Sequence, residues 1–411
     1  MSRFHIGTKW RFLKSERVRA ARQYLGLNRN VAVLALSIFG LGLGEELWQS
    51  YLPKYLTALG ASGVMVGLFS SLKDLLDGLY QYPGGWAGDR FGRKRALTLF
   101  TLTATCGYAL YALAWHWVVV FIGLWLVMAW KSGAFPVTFA VIGDALPHGR
   151  RAMAFSVQSV LVRLPRVIGA PLGGLLIVSF GVVIGVRIAA GITLLLALIV
   201  LFTQQRGYRE QAVSERSFKR APAATILARM PEALKRLLVV ECLARFGEAI
   251  AAAFIVLYVT NALGYSAPTY GMLYALQQSV SLVMYLPSGI LVDLTGRRLL
   301  IALTFLFFAL FPLAVQWAQG LTALVAAFVI GGLKEIGEPA RKAFIVDHAD
   351  PAERARTVGV YYTIRNLLIV PAGTIGGILW TYNPQAPLQV AGAVGMLGVA
   401  AFWVTSRDRS I

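Results

Sequence analysis

The chain has 411 residues, 57% of them apolar and only 14% charged, against roughly 25% charged in a soluble domain. So few polar side chains cannot cover a structure this size in water, which excludes both a soluble enzyme and a disordered polymer. The formal charge of +20 does not argue for a nucleic-acid partner, because the cations fall between long apolar segments rather than on one patch.

A hydrocarbon layer about 30 Å thick calls for about 20 apolar residues of helix, and long apolar runs without alternation exclude a barrel. A basic tail over residues 1–30 comes first. It lacks the apolar core and cleavage site of a signal peptide and reads as a headgroup-touching segment. Twelve candidate spans then follow at 32–58, 63–88, 96–114, 117–142, 153–179, 181–203, 237–262, 267–292, 299–318, 321–346, 357–381 and 387–405. The fold class is therefore an all-α membrane protein with twelve transmembrane helices in two pseudo-symmetric six-helix bundles. Residues 31–203 form the first bundle and 237–405 the second, joined by a polar linker at 204–236 and ended by a tail at 406–411.

Basic residues set the expected orientation. Thirty of the 39 fall on the side of the termini, including four in the region of loop 10–11: Arg341, Lys342, Arg354 and Arg356. Both termini are expected in the cytoplasm, with the protein multi-pass in the inner (plasma) membrane. Lys54 and Arg187 are the cations expected near the opposite face. Cys106 and Cys242 are the two cysteines, with neither a disulfide framework nor a zinc spacing. His5, His116, His148 and His348 fall near span ends or in the tail and suggest no metal site.

A shift of 203–204 residues superposes the two halves. Gly44, Glu45, Tyr55, Thr57 and Gly60 meet Gly247, Glu248, Tyr258, Thr260 and Gly264. Pro83, Gly85, Asp89, Gly92, Arg93 and Lys94 meet Pro287, Gly289, Asp293, Gly296, Arg297 and Arg298. Lys131, Pro136, Asp144 and Arg151 meet Lys334, Pro339, Asp347 and Arg354, and Gly173-Gly174 meets Gly376-Gly377. An even-numbered repeat keeps its orientation, so the two bundles are related by an axis along the membrane normal and can rock about a shared centre.

Between the second and third spans the chain reads Gly85-Trp86-Ala87-Gly88-Asp89-Arg90-Phe91-Gly92-Arg93-Lys94-Arg95. This resembles the loop signature of the major facilitator superfamily, with a weaker copy at Gly289–Arg298, and the likeness covers essentially the whole chain. In physical terms, Gly85 leaves room where two helices approach, Asp89 is placed to cap a helix N-terminus, and Arg93 can reach Asp89 and Asp144. The resemblance makes the eleventh helix the one that is capped. Gly85, Asp89, Arg90, Gly92, Arg93, Asp144, Asp293, Arg297 and Asp347 are accordingly gate or latch candidates, locking the halves when the cytoplasmic side is shut. The plainer reading of the loop is a positive-inside turn with a helix cap. The fifth span carries Gly169-Ala170-Pro171-Leu172-Gly173-Gly174, similar to the glycine–proline motif of the superfamily's antiporters but with the proline one residue too near the paired glycines. Glycines that only allow close packing read equally well.

Ionisable groups inside spans are costly and mark function by default. Glu45 and Glu248 lie mid-span in the first and seventh helices, Lys131 and Lys334 in the fourth and tenth, and the resemblance makes those four helices the cavity-lining set. Glu46 and Gln49 extend the first acid. Lys73, Asp74 and Asp77 occupy the second span, with Lys73 and Asp77 spaced to pair at i,i+4. Lys334, Glu338 and Lys342 form a stripe in the tenth beside Glu335, and Pro339 and Pro136 are placed to kink the tenth and fourth. Arg163, Arg166, Arg245 and Arg365 complete the set. Each charge can also be read as an internal salt bridge that fixes helix register. A carboxyl out of water beside a second acid holds a proton more readily, which makes Glu45 the proton-coupling candidate, with Lys131 responding to its charge. Trp48, Trp130, Tyr274 and Tyr285 are candidate aromatic walls.

The function expected is secondary active transport of a small organic solute by alternating access, with the bilayer, the solute and protons as partners. The chain is expected to work as a monomer and without a cofactor. Proton-coupled efflux of drug-like or metabolite compounds leads, and proton symport importing an organic anion or sugar is the alternative. A non-transporting receptor or scaffold is the reading from another class. No P-loop, HExxH or Gly-x-Ser-x-Gly is present, so no enzyme is expected.

Overall fold

A computed structural model describes residues 29–145, 151–209, 223–285, 287–349 and 354–405. The basic N-terminal tail up to residue 28, residues 210–222 of the linker and the C-terminal tail lie outside the described residues.

Twelve helical rods carry the chain back and forth. In the first half they are α1 (Arg29–Ala58), α2 (Gly63–Phe91), α3 (Arg93–Leu113), α4 (residues 117–145), α5 (Arg151–Phe180) and α6 (Val182–Gly207). In the second they are α7 (Glu232–Ala262), α8 (Ala267–Tyr285, continued by Ser288–Thr295), α9 (Arg297–Trp317), α10 (Gly320–Leu333 and Glu338–His348), α11 (Arg354–Tyr382) and α12 (Ala386–Thr405). A short helix, Ala223–Arg229, lies in the linker region. Among the described residues ten rods are long and apolar enough to cross a membrane. The other two, α2 and α8, carry Lys73, Asp74 and Asp77 or Gln277 and Gln278 in mid-helix, and these residues border the internal cavity. The outer faces are apolar: Leu195, Leu198, Ile199 and Phe202 of α6 all point outward.

The internal repeat is visible in the backbone. Gly60 and Gly264 follow α1 and α7 with φ of 90° and 74°, and Gly92 and Gly296 end α2 and α8 at 85° and 83°. A side chain is strained in that conformation, so the paired glycines fix where paired helices stop. The first rod of each three-helix unit also changes helical type along its length. Helix α1 passes through a 3-10 turn at Gln49–Tyr51, α4 through a π segment at Ala129–Gly133 and α7 through one at Tyr258–Ala262, while α10 opens into turns between Leu333 and Glu338. For α4 and α10 the cause is Pro136 and Pro339. A proline ring removes the bond to the carbonyl four residues earlier, here Ser132 and Glu335. The disturbance therefore falls one turn before each proline, on the stretches that hold Lys131 and Lys334. The tenth span's lysine–glutamate stripe is thus not one straight helical face.

Both halves meet tightly near the face opposite the termini. A methyl group at Gly67 of α2 would collide with the Gly373 carbonyl of α11, and the Ser71 hydroxyl bonds Thr374 at 2.9 Å through both its backbone N–H and its side chain. On the other flank Tyr51 donates to the carbonyls of Ala170 on α5 and Ala267 on α8 at 2.7 and 3.0 Å, and Gly174 packs on Pro268. Lys54 reaches Asn261 at 3.2 Å across the end of the seam.

Candidate functional site

Below that seam the halves diverge around a two-lobed cavity. The lobe nearer the seam measures about 410 Å³ and is bordered by α1, α2, α5, α7, α8, α9 and α10. The second, about 980 Å³, widens toward the face of the termini between Asp77 and Gln81 of α2 and Lys342, Val358 and Tyr362 of α10 and α11. The cavity is thus sealed at one face and opens toward the other.

A continuous ion-pair network runs along its second-half wall and behind it. Glu248 accepts from Arg245 at 2.9 Å and Lys334 at 2.5 Å. Glu338 takes Arg341, Lys342 at 3.2 Å and Arg245 at 3.7 Å. Glu241, fully buried, accepts from Arg341, from Arg365 at 2.9 Å and from the Tyr361 hydroxyl at 2.6 Å. Arg245 also stacks over Phe308 at 4.5 Å, with Lys334 5.6 Å from the same ring. Glu241 and Arg341 were missed in the sequence. Glu241 falls near the start of the seventh span, although Glu241, Arg245 and Glu248 recur at i, i+4 and i+7 and so share one helix face. Arg341 counted among the cations of the loop 10–11 region. It is instead 1% exposed, because α10 continues past Pro339 to His348.

The first half is built differently. Gln49 borders the cavity, but Glu45, Glu46 and Lys131 do not. The expectation that Glu45, Lys131, Glu248 and Lys334 share one pocket therefore holds for Glu248 and Lys334 alone. Glu45 turns into the first bundle, where the Tyr108 hydroxyl donates to it at 2.5 Å; among the described residues no cation forms a salt bridge with it. Lys131 instead donates to Gln49 at 2.6 Å, and Glu46 faces Arg166 at 3.4 Å. The i,i+4 pair of Lys73 and Asp77 does not close either: Asp77 accepts from Ser132 at 2.5 Å. Asp74 and Asp77 border the larger lobe and Glu335 the smaller, with Arg163 3.6 Å from Glu335. Of the expected aromatic walls only Tyr274 lines the cavity. Trp48 and Trp130 are buried away from it and the Tyr285 side chain is outside the described set. Tyr270, Phe69, Phe308, Phe311 and Tyr362 serve there instead.

Of the gate candidates, the side chains of Asp89, Asp144 and Asp293 lie outside the described residues. Arg297 meets Asp347 at 2.6 Å within the second half, and with both side chains about half exposed such a pair contributes only ~0–1 kcal/mol. Arg90 lies over Trp86 at 5.1 Å, and Gly92 ends α2. The close approach expected at Gly85 occurs instead at Gly84, one residue before it, and at Gly88, three residues after it. A Cβ at Gly85 stands an ordinary 3.7 Å from Pro136, whereas Gly84 meets the Gly133 carbonyl and Gly88 the Val137 side chain.

Two tandem six-helix bundles around a charged central cavity define a solute transporter. The chain belongs to the Major Facilitator Superfamily, whose sequence profile matches residues 34–242 and again 237–410; it is a secondary transporter and not an enzyme. It is 27% identical over 385 residues to the Multidrug resistance protein MdtH of Yersinia enterocolitica, covering 87% of this chain and 89% of that one. It is also 31% identical over 195 residues to a Multi-drug resistance efflux pump PmrA homolog of Lactococcus lactis, covering 46% and 47% of the two chains. Among solved structures, the nucleoside transporter NupG superposes with a TM-score of 0.79 over 92% of this chain and 99% of its own at 12% identity, which speaks for the fold.

Proposed function

We propose that this protein exports small amphipathic organic solutes in exchange for protons, by alternating access, from the inner membrane with both termini in the cytoplasm. The observation that carries the coupling is the divergence of two repeat mates. Glu248 is neutralised by Arg245 and Lys334, whereas Glu45, 6% exposed, holds a tyrosine hydroxyl and no salt bridge among the described residues. An acid out of water without a paired cation is the one whose charge a proton can most readily cancel. Lys131 lies within the electrostatic reach of Glu45 and donates to Gln49 on the cavity wall, so a change of charge at Glu45 is felt at the solute site through Lys131. The direction is supported by the relatives named for drug resistance and efflux.

The test is accumulation of amphipathic fluorophores of both charge signs in everted membrane vesicles. Export by exchange predicts uptake when the vesicle interior is acid, and proton symport predicts it when the exterior is acid. Glu45→Gln is expected to abolish gradient-driven uptake while leaving solute exchange at equal pH intact. Uphill uptake at the wild-type rate in Glu45→Gln removes Glu45 from the coupling step.

A further inference from the structure

Seven residues border both lobes of the cavity, and four of them are the cations Lys73, Arg163, Arg166 and Arg245. The lone acid among the seven, Glu248, is already taken by Arg245 and Lys334. Over the whole cavity lining, seven basic side chains face five acidic ones. Two of the cations keep unused donors. Lys73 makes no hydrogen bond or salt bridge to a described residue; the adjacent Asp74 supplies an attractive field without a bond. Arg166 is tied to Glu46 only through its Nε, at 3.4 Å, and its side chain is 35% exposed to the cavity. An ammonium and a guanidinium with N–H groups unused by the protein and facing the cavity can be completed by an anionic solute, and a carboxylate suits a guanidinium edge through two parallel bonds. Next to them the smaller lobe offers the rings of Phe69, Tyr270 and Tyr274, with Gln277 and Gln278 beside them.

We propose that the cavity takes an amphipathic organic anion, its carboxylate seated between Lys73 and Arg166 and its apolar body against the aromatic rings of the smaller lobe. The assignment deepens the transporter reading and rests on it, but is independent of direction and of proton coupling.

The test is counterflow in proteoliposomes without a pH gradient, using three probes of one shape: naphthalene-2-acetate, its neutral amide, and naphthalene-2-ethylammonium. The carboxylate is expected to exchange about tenfold faster than either analogue, and to be the one that raises the melting temperature of the purified wild-type protein. Lys73→Gln is expected to raise the KM for the carboxylate about tenfold, with Lys73→Arg restoring most of it. Exchange or binding of the amide or the ammonium as good as that of the carboxylate, or none by any probe, overturns the proposal, and the wild-type comparison decides this even where a variant fails to insert. Carboxylate counterflow without proton-driven accumulation sinks the coupling and keeps the anion site. Proton-driven accumulation of the ammonium alone does the opposite.

Discussion

Glu45 and Glu248 occupy matching positions of the repeat, yet one turns into its bundle toward Tyr108 and the other faces the cavity with two cations. That both are unusual was legible from a single line of text, since an acid inside an apolar span needs a partner. Which partner each found was not, because a helix fixes the angle of a side chain about its own axis but not the neighbour on that side. Glu241 shows the same limit. Near a span end it resembles a solvated charge, but α11 brings Tyr361 and Arg365 over it and α10 brings Arg341. Removing one member of such a buried set strands the rest, at a cost of ~3–5 kcal/mol. Glu241→Gln is therefore expected to lower the melting temperature of the purified protein sharply, and Glu241→Gln with Arg365→Gln to recover part of the loss, since groups in one network are not additive. An unchanged melting temperature in the single variant would show that the arginines find other partners.

At the level of elements, ten of the twelve rods are legible from apolar run length, α2 and α8 being interrupted by polar residues, and even the breaks in α4 and α10 follow from Pro136 and Pro339 once the missing bond is counted back four residues. The paired glycines Gly60/Gly264 and Gly92/Gly296 matched in the repeat, and the structure shows that they end α1, α7, α2 and α8. Their sequence could not say which other glycines serve as contacts. Gly67 drew no notice, yet it lies against the Gly373 backbone where α2 and α11 close the seam. Overpacking such a contact costs ~1–3 kcal/mol, of which ~1.4 kcal/mol already shifts a two-state ratio tenfold. Gly67→Val is expected to favour the state open on the face opposite the termini. With Ser70→Cys as the reporter in a background lacking Cys106 and Cys242, an impermeant thiol reagent applied from that face should label about tenfold faster. Equal labelling would mean that the seam yields without opening.

The molecule as a whole is caught with one face sealed by Tyr51, Ser71 and Lys54 contacts and the other divided by the larger lobe. If transport requires the halves to rock, tying them at the seal must stop it. Lys54→Cys with Asn261→Cys, joined by a short reducible thiol cross-linker, is expected to lose nearly all counterflow and to regain it on reduction. Counterflow that persists in the cross-linked protein would mean that the solute passes without the seam parting. The residue series alone determined that this chain spans a membrane, that its halves repeat, and that charges meet near its middle, because run length, spacing and the cost of a bare charge in lipid are properties of the chain itself. Only the tertiary structure decided that Glu45 and Lys131 stand behind the cavity wall while Lys73 and Arg166 border it, because how each rod is rotated and tilted is set by its packing against the other eleven.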